Sequence, residues 1–212
     1  MKNKMKNIAY GKNVYDNKEI NAVIKTLKHS TQMGTAVTTF ENKISKLFSK
    51  KFGLMVNSGS SALILALKVM NFKKNSEIIT PCLNFGTAVS SIMLSNLKPI
   101  FVDCEIDTLQ IDINKIEKKI TKKTKAIMVV HLYGLMCDMK TIMSIAKKYK
   151  LYVLEDCAQC FFGKNEKKQI SGTIGHVGSW SFETTKHITT GDGGIVTTNN
   201  NKLGINMRRF GS

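Results

Sequence analysis

Lys186 stands out among the many lysines of this sequence because a glycine-rich run follows it closely. After His187 and Ile188 the chain reads Thr-Thr-Gly-Asp-Gly-Gly over residues 189–194. Glycines let the backbone approach a ligand closely, because no Cβ stands in the way. A lysine amine held in such a loop can attack an aldehyde and form an imine. The neighbouring His187 could act as a general base, but we favour a structural or supporting role for it.

A carboxylate follows an apolar run at Asp156, just ahead of Cys157 and Gln159. If residues 152–155 form a buried strand, the charge of Asp156 leaves water, which costs several kcal/mol unless a partner compensates it. A protonated pyridine nitrogen is one such partner, and the pairing keeps a cofactor ring an electron sink. The alternatives are an aspartate that caps the next turn or pairs with a lysine.

Two further groups could contact a ligand. Gly59, flanked by hydroxyl residues that include Ser60 and Ser61, opens a helical pattern, and a helix N-terminus of this kind suits a phosphate. The alternative is a plain N-cap with a turn glycine. Phe85 follows a short apolar run, where its ring could lie flat over a planar heteroaromatic group. The alternative for Phe85 is an ordinary place in the core.

Cys157 and Cys160 form a CxxC pair that could be a redox or a zinc motif. A reactive thiol needs an electropositive surrounding, but Glu155 and Asp156 precede the pair and oppose thiolate formation. A zinc site needs a second ligand pair, and the remaining cysteines and histidines are scattered. We therefore expect no metal site. Five cysteines, an odd number, favour reduced thiols and a cytoplasmic protein.

The hydrophobic periodicity indicates which elements position these residues. Amphipathic helices are predicted over residues 17–28 and 38–51, with a loop between them, and from residue 54 onward strands alternate with helices. This rhythm predicts an α/β fold with a mostly parallel sheet covered by helices on both faces. We expect a helical segment over residues 1–52 and one large domain over 53–212. The predicted strands are 54–56, 77–80, 99–103, 126–131, 152–155, 175–182 and 194–198, and the predicted helices are 60–70, 87–95, 113–120, 139–148 and 200–210.

Composition excludes some classes of function. Apolar residues make up 42% of the chain and charged residues 22%, as in ordinary globular proteins. The net charge of +17 raises nucleic acid as a partner, but nearly all basic residues are lysines and base reading favours arginine. The longest uninterrupted apolar stretch, residues 62–67, is too short to span a membrane. The basic N-terminus lacks the apolar region of a signal peptide. We expect neither nucleic acid nor membrane as a partner.

Together, in this order, the motifs resemble a known family. Residues 58–63, 99–103, 131–134 with 138–139, 155–159, and 181–186 with Gly193 and Gly194 are similar to segments of the DegT/StrS-type sugar aminotransferases. These belong to the fold-type-I, aspartate aminotransferase-like enzymes that use pyridoxal 5'-phosphate (PLP). The resemblance runs from about residue 8 to residue 212. It implies the large PLP-binding domain of that fold.

The resemblance also implies a role for each matching residue. Lys186 would bind PLP through an imine and then move a proton between substrate carbon and cofactor carbon. Asp156 would pair with the ring nitrogen, and Gln159 would hydrogen-bond the phenolic oxygen. Phe85 would stack on the ring. The phosphate would be held by Ser60, Ser61 and Ser181.

By the same resemblance, the reaction would transfer an amino group from glutamate to a keto sugar linked to a nucleotide, in a homodimeric enzyme of amino-sugar and polysaccharide biosynthesis. Some relatives carry histidine in place of the lysine and are dehydratases, so Lys186 favours transamination. Serine replaces a common threonine at Ser60, and phenylalanine replaces a common histidine at Phe210. Neither departure changes the prediction.

Relatives continue past the point where this sequence stops, so we expect the C-terminal small domain to be absent. Three alternatives stay open beside the aminotransferase. The first is a truncated homologue with a non-catalytic or regulatory role. The second is one half of a split enzyme, and the third is PLP chemistry of another type, such as dehydration.

Overall fold

The computed structural model describes residues 14–29, 31–32 and 34–211. The N-terminal basic stretch, where the resemblance begins, and parts of the predicted loop after the first helix lie outside these residues. The described residues form an α/β fold built on one seven-stranded sheet. Among them, no helix combines the length and the hydrophobicity that crossing a bilayer requires.

The sheet is mostly parallel, as predicted. Its strand order is β1-β7-β6-β5-β4-β2-β3, and only β7 runs antiparallel to its two neighbours, β1 and β6. The carboxyl ends of the other six strands therefore lie at one edge of the sheet, together with the amino end of β7. The strands are β1 (Phe52–Val56), β2 (Glu77–Pro81), β3 (Lys98–Val102), β4 (Thr124–Val130), β5 (Tyr152–Asp156), β6 (Val177–Ser181) and β7 (Gly194–Thr198).

Helices cover both faces of the sheet, which confirms the predicted fold class. One face packs against α3, α4 and α7, and the other packs against α2, α5 and α6. Along the strands the contacts alternate: Ile78 faces the first layer and Ile79 the second, as the two-residue period of a strand requires. The helices are α1 (Asn17–His29), α2 (Thr35–Leu47), α3 (Gly59–Met70), α4 (Gly86–Leu94), α5 (Ile113–Ile116), α6 (Met139–Tyr149) and α7 (Asn201–Phe210).

Two predicted helices are wrong in extent. The second N-terminal helix was expected over residues 38–51, but α2 begins at Thr35 and ends at Leu47, because the chain turns through a left-handed residue at Ser49 (φ 51°). The helix expected over 113–120 is a single α turn followed by a 3₁₀ turn at Glu117–Lys119. Ile116 is the only buried residue of these two turns, so little packing favours a longer helix there.

An aromatic cluster supports the end of β6, where Ser181 lies. Phe48, the residue directly after α2, stacks on Trp180 with ring centroids 4.4 Å apart. Phe40 of the same helix meets Phe182 edge-on at 5.3 Å. Trp180 and Phe182 are both fully buried. Because the two rings flank Ser181 and point to the interior, the position of the Ser181 hydroxyl at the edge is fixed by packing.

Candidate active site

All the residues that sequence reasoning selected lie at the carboxyl edge of the sheet. Ser60 and Ser61 follow β1, Phe85 follows β2, Gln159 follows β5, and Lys186 follows β6. Asp156 and Ser181 are the last residues of β5 and β6. In open α/β sheets this edge is where ligands bind. The structure therefore brings the predicted residues to one side of the molecule.

Asp156 lies nearly buried at the centre of this edge, with 5% of its surface exposed. Its Oδ1 accepts the backbone N–H of Ala158 at 3.0 Å, and no hydrogen bond joins Oδ2 to any of the described residues. Burial raises the pKa of Asp156, while the N–H of Ala158 and the positive charge of Lys186 oppose the rise. The carboxyl is thus held in place with one oxygen free for a positively charged donor.

The charge of Lys186 acts on Asp156 although the two residues are far apart in the chain. Lys186 is half-buried, and its Nζ makes no hydrogen bond with the described part of the chain. The turn that carries Lys186 follows β6, and β6 pairs with β5, which ends at Asp156. The two residues therefore lie at the same edge of the sheet.

Glu183 shapes the turn that carries Lys186. Its carboxylate accepts the N–H of Thr185 at 3.0 Å and the hydroxyls of Thr184 and Thr185. These hydrogen bonds lower the pKa of Glu183 to about 2. The backbone N–H of Lys186 donates in turn to the Glu183 carbonyl at 2.9 Å. The turn is therefore closed twice, once by side chains and once by backbone.

The N-terminus of α3 lies directly against Ser181. A Cβ at Gly59 would come within 2.7 Å of Ser181 Cβ and 3.1 Å of its Oγ, so only glycine permits this approach. The side chain of Ser58 caps the helix by accepting the N–H of Ser61 at 3.1 Å. The N–H groups of Gly59 and Ser60 donate to no acceptor among the described residues. Two amide donors at a helix N-terminus beside a serine hydroxyl fit a phosphate.

Gly194 allows the same close approach from β7. A Cβ there would lie 2.3 Å from the Ser58 carbonyl oxygen. Because β7 is inserted between β1 and β6, its first residue sits beside the loop that leads into α3. Gly194 is the last glycine of the run that follows Lys186. Its lack of a side chain lets β7 pass close to the N-terminus of α3.

Gln159 is oriented by a backbone group of the loop after β4. The N–H of Tyr133 donates to Gln159 Oε1 at 3.1 Å. Because a backbone N–H can only donate, the amide oxygen of Gln159 must face Tyr133 and its NH₂ group must face away. No described residue accepts a hydrogen bond from that NH₂ group. Gln159 therefore presents a donor at the edge, as a phenolic oxygen would require.

Phe85 is not a core residue. It is 69% exposed and forms the N-cap position of α4, beyond a turn in which Asn84 Nδ2 donates to the Pro81 carbonyl at 2.7 Å. An exposed ring at a ligand-binding edge favours the stacking hypothesis over the alternative of a packed phenylalanine.

Beneath Asp156 lies a buried ionisable pair that sequence reasoning did not assign to the site. Glu155 and His131 are both fully buried, with Glu155 Oε2 and His131 Nε2 3.0 Å apart. Burial opposes ionisation of Glu155, but hydrogen bonds from His131 and from backbone N–H groups lower its pKa. The N–H of Cys137 donates to His131 Nδ1 at 3.2 Å, so Nδ1 carries no proton and the neutral ring donates to Glu155 through Nε2. Glu155 also accepts the N–H groups of Gly172, Ile174 and Gly175. It ties the loop before β6 to the end of β5.

Both Glu155 and Glu183 were within motifs that the resemblance quoted, yet neither received a role. The residue types could have indicated these roles. A carboxylate in a buried strand needs hydrogen-bond donors, and a carboxylate two residues before a threonine commonly accepts the N–H of that threonine. The identity of the partners was not readable, because Gly172 and Ile174 lie far from Glu155 in the sequence.

The CxxC cysteines do not form a reactive pair. Cys157 and Cys160 are buried, and burial raises the pKa of the Cys157 thiol well above its usual range, with Glu155 and Asp156 adding to the rise. His131, Glu155 and Cys157 do bring three potential metal-ligand atoms within 4.8 Å of one another. However, the His131 and Glu155 atoms already bond each other, and Glu155 is saturated by backbone N–H groups. The arrangement fits structural support.

As a set, the donors and acceptors at the edge match a flat, anionic, nitrogen-containing ring. Free backbone N–H groups and Ser181 suit a phosphate, the free oxygen of Asp156 suits a protonated ring nitrogen, and the NH₂ of Gln159 suits an acceptor oxygen. Lys186 supplies an amine near the same space. The residues present therefore fit the cofactor that the resemblance implied.

Comparisons with known proteins agree with this geometry. The profile of the DegT/DnrJ/EryC1/StrS aminotransferase family matches residues 13–212, and the chain belongs to that family. GDP-perosamine synthase of Escherichia coli O157:H7 is 42% identical over 170 residues, covering 80% of this chain and 46% of that protein.

Two solved structures show the same fold. An aminotransferase from Psychrobacter cryohalolentis superposes with a TM-score of 0.87 at 35% identity, covering 92% of this chain and 50% of that one. GDP-4-keto-6-deoxymannose-3-dehydratase with a trapped PLP-glutamate geminal diamine superposes with a TM-score of 0.89 at 30% identity, covering 95% and 54%. The chain thus spans about half the length of the relatives that it matches.

Proposed function

We propose that this chain is the cofactor-binding part of a PLP-dependent aminotransferase that acts on keto sugars linked to nucleotides. The observation that carries the proposal is that Asp156, Ser181 and the N-terminus of α3 lie together at the carboxyl edge of the sheet, where the turn with Lys186 also lies. Membership of the DegT/DnrJ/EryC1/StrS family supports the class of reaction. PLP, when bound, supplies an aldehyde for amine capture and a ring that delocalises negative charge.

Each side chain at the edge has a definable task in this proposal. The N-terminus of α3 and Ser181 bind the phosphate and set the position of the ring. Asp156 keeps the ring nitrogen protonated, because a buried carboxylate gains most from a positive partner. Gln159 donates to the phenolic oxygen, and Phe85 covers one face of the ring and excludes water from it.

Lys186 has two tasks. With PLP bound, its amine would hold the cofactor through the aldehyde carbon. As a free amine it would accept and return a proton at the reacting carbon. Glu183 holds the turn in which both tasks occur. A lysine at this position is therefore required for transamination.

Covalent labelling tests the proposal directly. The chain is incubated with PLP, reduced with borohydride and mapped by mass spectrometry. We expect one dominant adduct at Lys186 and an absorption band near the visible edge, both abolished by Lys186→Ala. Lys202→Ala is the matched control, since Lys202 is exposed on α7 and distant in sequence from every edge residue. Equal labelling of many surface lysines with no band, in the parent and both variants, would sink the proposal.

The proposal also covers the substrates, the oligomeric state and the location of the protein. We infer glutamate as amino donor, a nucleotide-linked keto sugar as acceptor, a homodimer and a cytoplasmic location. The dehydratase with a trapped PLP-glutamate geminal diamine supports glutamate as a species that this fold accommodates. Product analysis distinguishes transamination from dehydration. The chain loaded with PLP but not reduced, supplied with the C-terminal part that its relatives carry, glutamate and a keto-sugar nucleotide, should yield an amino sugar. A deoxygenated keto sugar without nitrogen would indicate dehydration instead.

A further inference from the structure

Cys82 and Cys104 lie side by side although 22 positions separate them in the chain. Their Sγ atoms are 4.0 Å apart, at the carboxyl ends of the neighbouring strands β2 and β3. The backbone around both residues is tied down. The N–H of Cys82 donates to the Val102 carbonyl at 2.9 Å, and Cys104 forms a β-bridge with Ile111. The contact is therefore a consequence of the sheet and not of a loose loop.

The backbone separation suits a disulfide. In the register of β2 and β3, Pro81 is opposite Val102, so Cys82 and Cys104 are offset by one residue beyond the paired segment. Neighbouring strands lie about 4.8 Å apart and one residue advances about 3.3 Å, which places the two Cα atoms roughly 6 Å apart. Disulfides accept Cα separations of about 4.4–6.8 Å. Closing the bond then requires side-chain rotation and only a small backbone shift.

We propose that Cys82 and Cys104 are a thiol pair that a peroxide converts into an intramolecular disulfide. The thiolate of Cys82 attacks one peroxide oxygen, which forms a sulfenic acid and releases water or an alcohol. The Cys104 sulfur then attacks the Cys82 sulfur and displaces the second oxygen as water. Two thiols lose two electrons and two protons in total, and one peroxide bond is reduced.

The order of the two steps follows from exposure. Cys82 is exposed, whereas Cys104 is partly covered. Burial raises the pKa of the Cys104 thiol, and the nearby charges of Cys82 and Asp103 raise it further, which suits Cys104 to the second step. The Cys82 thiol donates to Asp103 Oδ1 at 3.6 Å, and Lys115 Nζ lies 3.1 Å from Asp103 Oδ2, so the lysine offsets part of the negative charge beside the pair.

The other three cysteines are poor competitors. Cys137, Cys157 and Cys160 are buried. Each of their sulfurs donates to a carbonyl or amide oxygen of the interior. Peroxide should therefore oxidise the Cys82 and Cys104 pair first. The CxxC spacing would instead predict that Cys157 and Cys160 are oxidised first.

The disulfide would fix the turn that carries Phe85. Cys82 begins that turn, and Asn84 closes it through its hydrogen bond to Pro81. With its first residue tied to the end of β3, the turn has fewer conformations available. Formation of the disulfide between Cys82 and Cys104 does not depend on PLP binding.

Thiol counting and fragment mapping test the inference on the whole chain. After treatment with hydrogen peroxide, the thiols titrated in denaturant should fall by two from the initial five. Chymotrypsin cuts after Phe85 and Phe101, which lie between the two cysteines, so its fragments should stay joined until a reductant is added. If the number of thiols lost stays the same when the protein is diluted before oxidation, the disulfide is intramolecular. Hydrogen exchange at residues 82–86 should slow in the oxidised chain.

Two single variants complete the test. Cys82→Ser and Cys104→Ser should each form no joined fragments, and Cys104→Ser should instead accumulate sulfinic acid at Cys82, because no second thiol resolves the sulfenic acid. Both positions are outside the buried core, so both variants should fold. A disulfide between Cys157 and Cys160, seen as the loss of two hydrogens in the single fragment that carries both, would overturn the inference, and so would a disulfide that forms only between chains.

Discussion

Two glutamates at the same edge of the sheet show how differently a carboxylate can serve a site. Glu155 is fully buried, and it accepts hydrogen bonds from His131 and from three backbone N–H groups. Glu183 lies near the surface and accepts hydrogen bonds only from its next two neighbours. The pKa of each is lowered. The first joins distant parts of the chain, whereas the second shapes one turn.

The two glutamates belong to two regions of the edge, which we call the support and the rim. The support consists of Glu155, His131 and the loop that they hold, and it lies beneath Asp156. The rim consists of the turns that carry Phe85 and Lys186, and its functional groups have no partners among the described residues. Changes to the support should therefore alter folding, and changes to the rim should alter ligand binding while the fold persists.

The largest effect is expected from Glu155→Gln. Glutamine replaces one carboxylate oxygen with an NH₂ group, so buried N–H donors lose their acceptor, at a cost of about 1–3 kcal/mol for each. Urea denaturation near pH 6 should show this loss in the free energy of unfolding. If the loss is below about 1 kcal/mol, Glu155 does not support the site as described.

The same pair predicts a pH window for stability. The folded-state pKa of Glu155 is lowered, so its contribution is present above about pH 4.3 and is lost as pH falls through the folded value. His131 stays neutral in this pair, because its Nδ1 accepts the N–H of Cys137. The difference in unfolding free energy between parent and Glu155→Gln should therefore be greatest above about pH 4.5 and should shrink as pH falls below it.

An intermediate effect is expected from Phe85→Ala on the rim. The exposed ring contributes little to folding, so the free energy of unfolding should change by less than about 0.5 kcal/mol. Loss of stacking should raise the dissociation constant of PLP about two- to tenfold, in line with roughly 0.5–1.5 kcal/mol for an aromatic pair. Titration of the absorption band measures this, with Phe210→Ala, an exposed ring on α7, as the control. Equal affinities in parent and Phe85→Ala would remove Phe85 from the site.

The smallest effect is expected from Glu183→Gln. Because the carboxylate is close to solvent, screening limits its contribution to less than about 1 kcal/mol, despite a pKa of about 2. Any contribution is present above about pH 4.3 and disappears as pH falls towards 2. Parallel urea denaturation of Glu183→Gln and Glu155→Gln at pH 6 measures the contrast. If both variants lost the same stability, the distinction between support and rim would fail.

The sequence by itself determined the elements and the chemistry of the residues that follow them. Periods of two and 3.6 residues are local properties, so the alternation of strands and helices from residue 54 onward was readable, and with it the parallel sheet. The carboxyl ends of parallel strands share an edge, so Asp156, Phe85 and Lys186 could be expected at one edge from their positions, whereas their roles came from the family resemblance. The extent of α2 and of α5 was not readable, because packing decides where a marginal helix ends.

Only the tertiary structure decided which distant groups touch. The insertion of β7 between β1 and β6 brings Gly194 against Ser58, and Glu155 finds its donors at residues 172–175. The cysteines make the same point: Cys157 and Cys160 are close in sequence but buried in separate contacts, whereas Cys82 and Cys104 are distant in sequence and lie 4.0 Å apart. Hydrogen bonds and sulfur contacts act over a few ångströms. Distances at that scale are set by how the strands are arranged in the folded sheet, and the sequence does not show that arrangement.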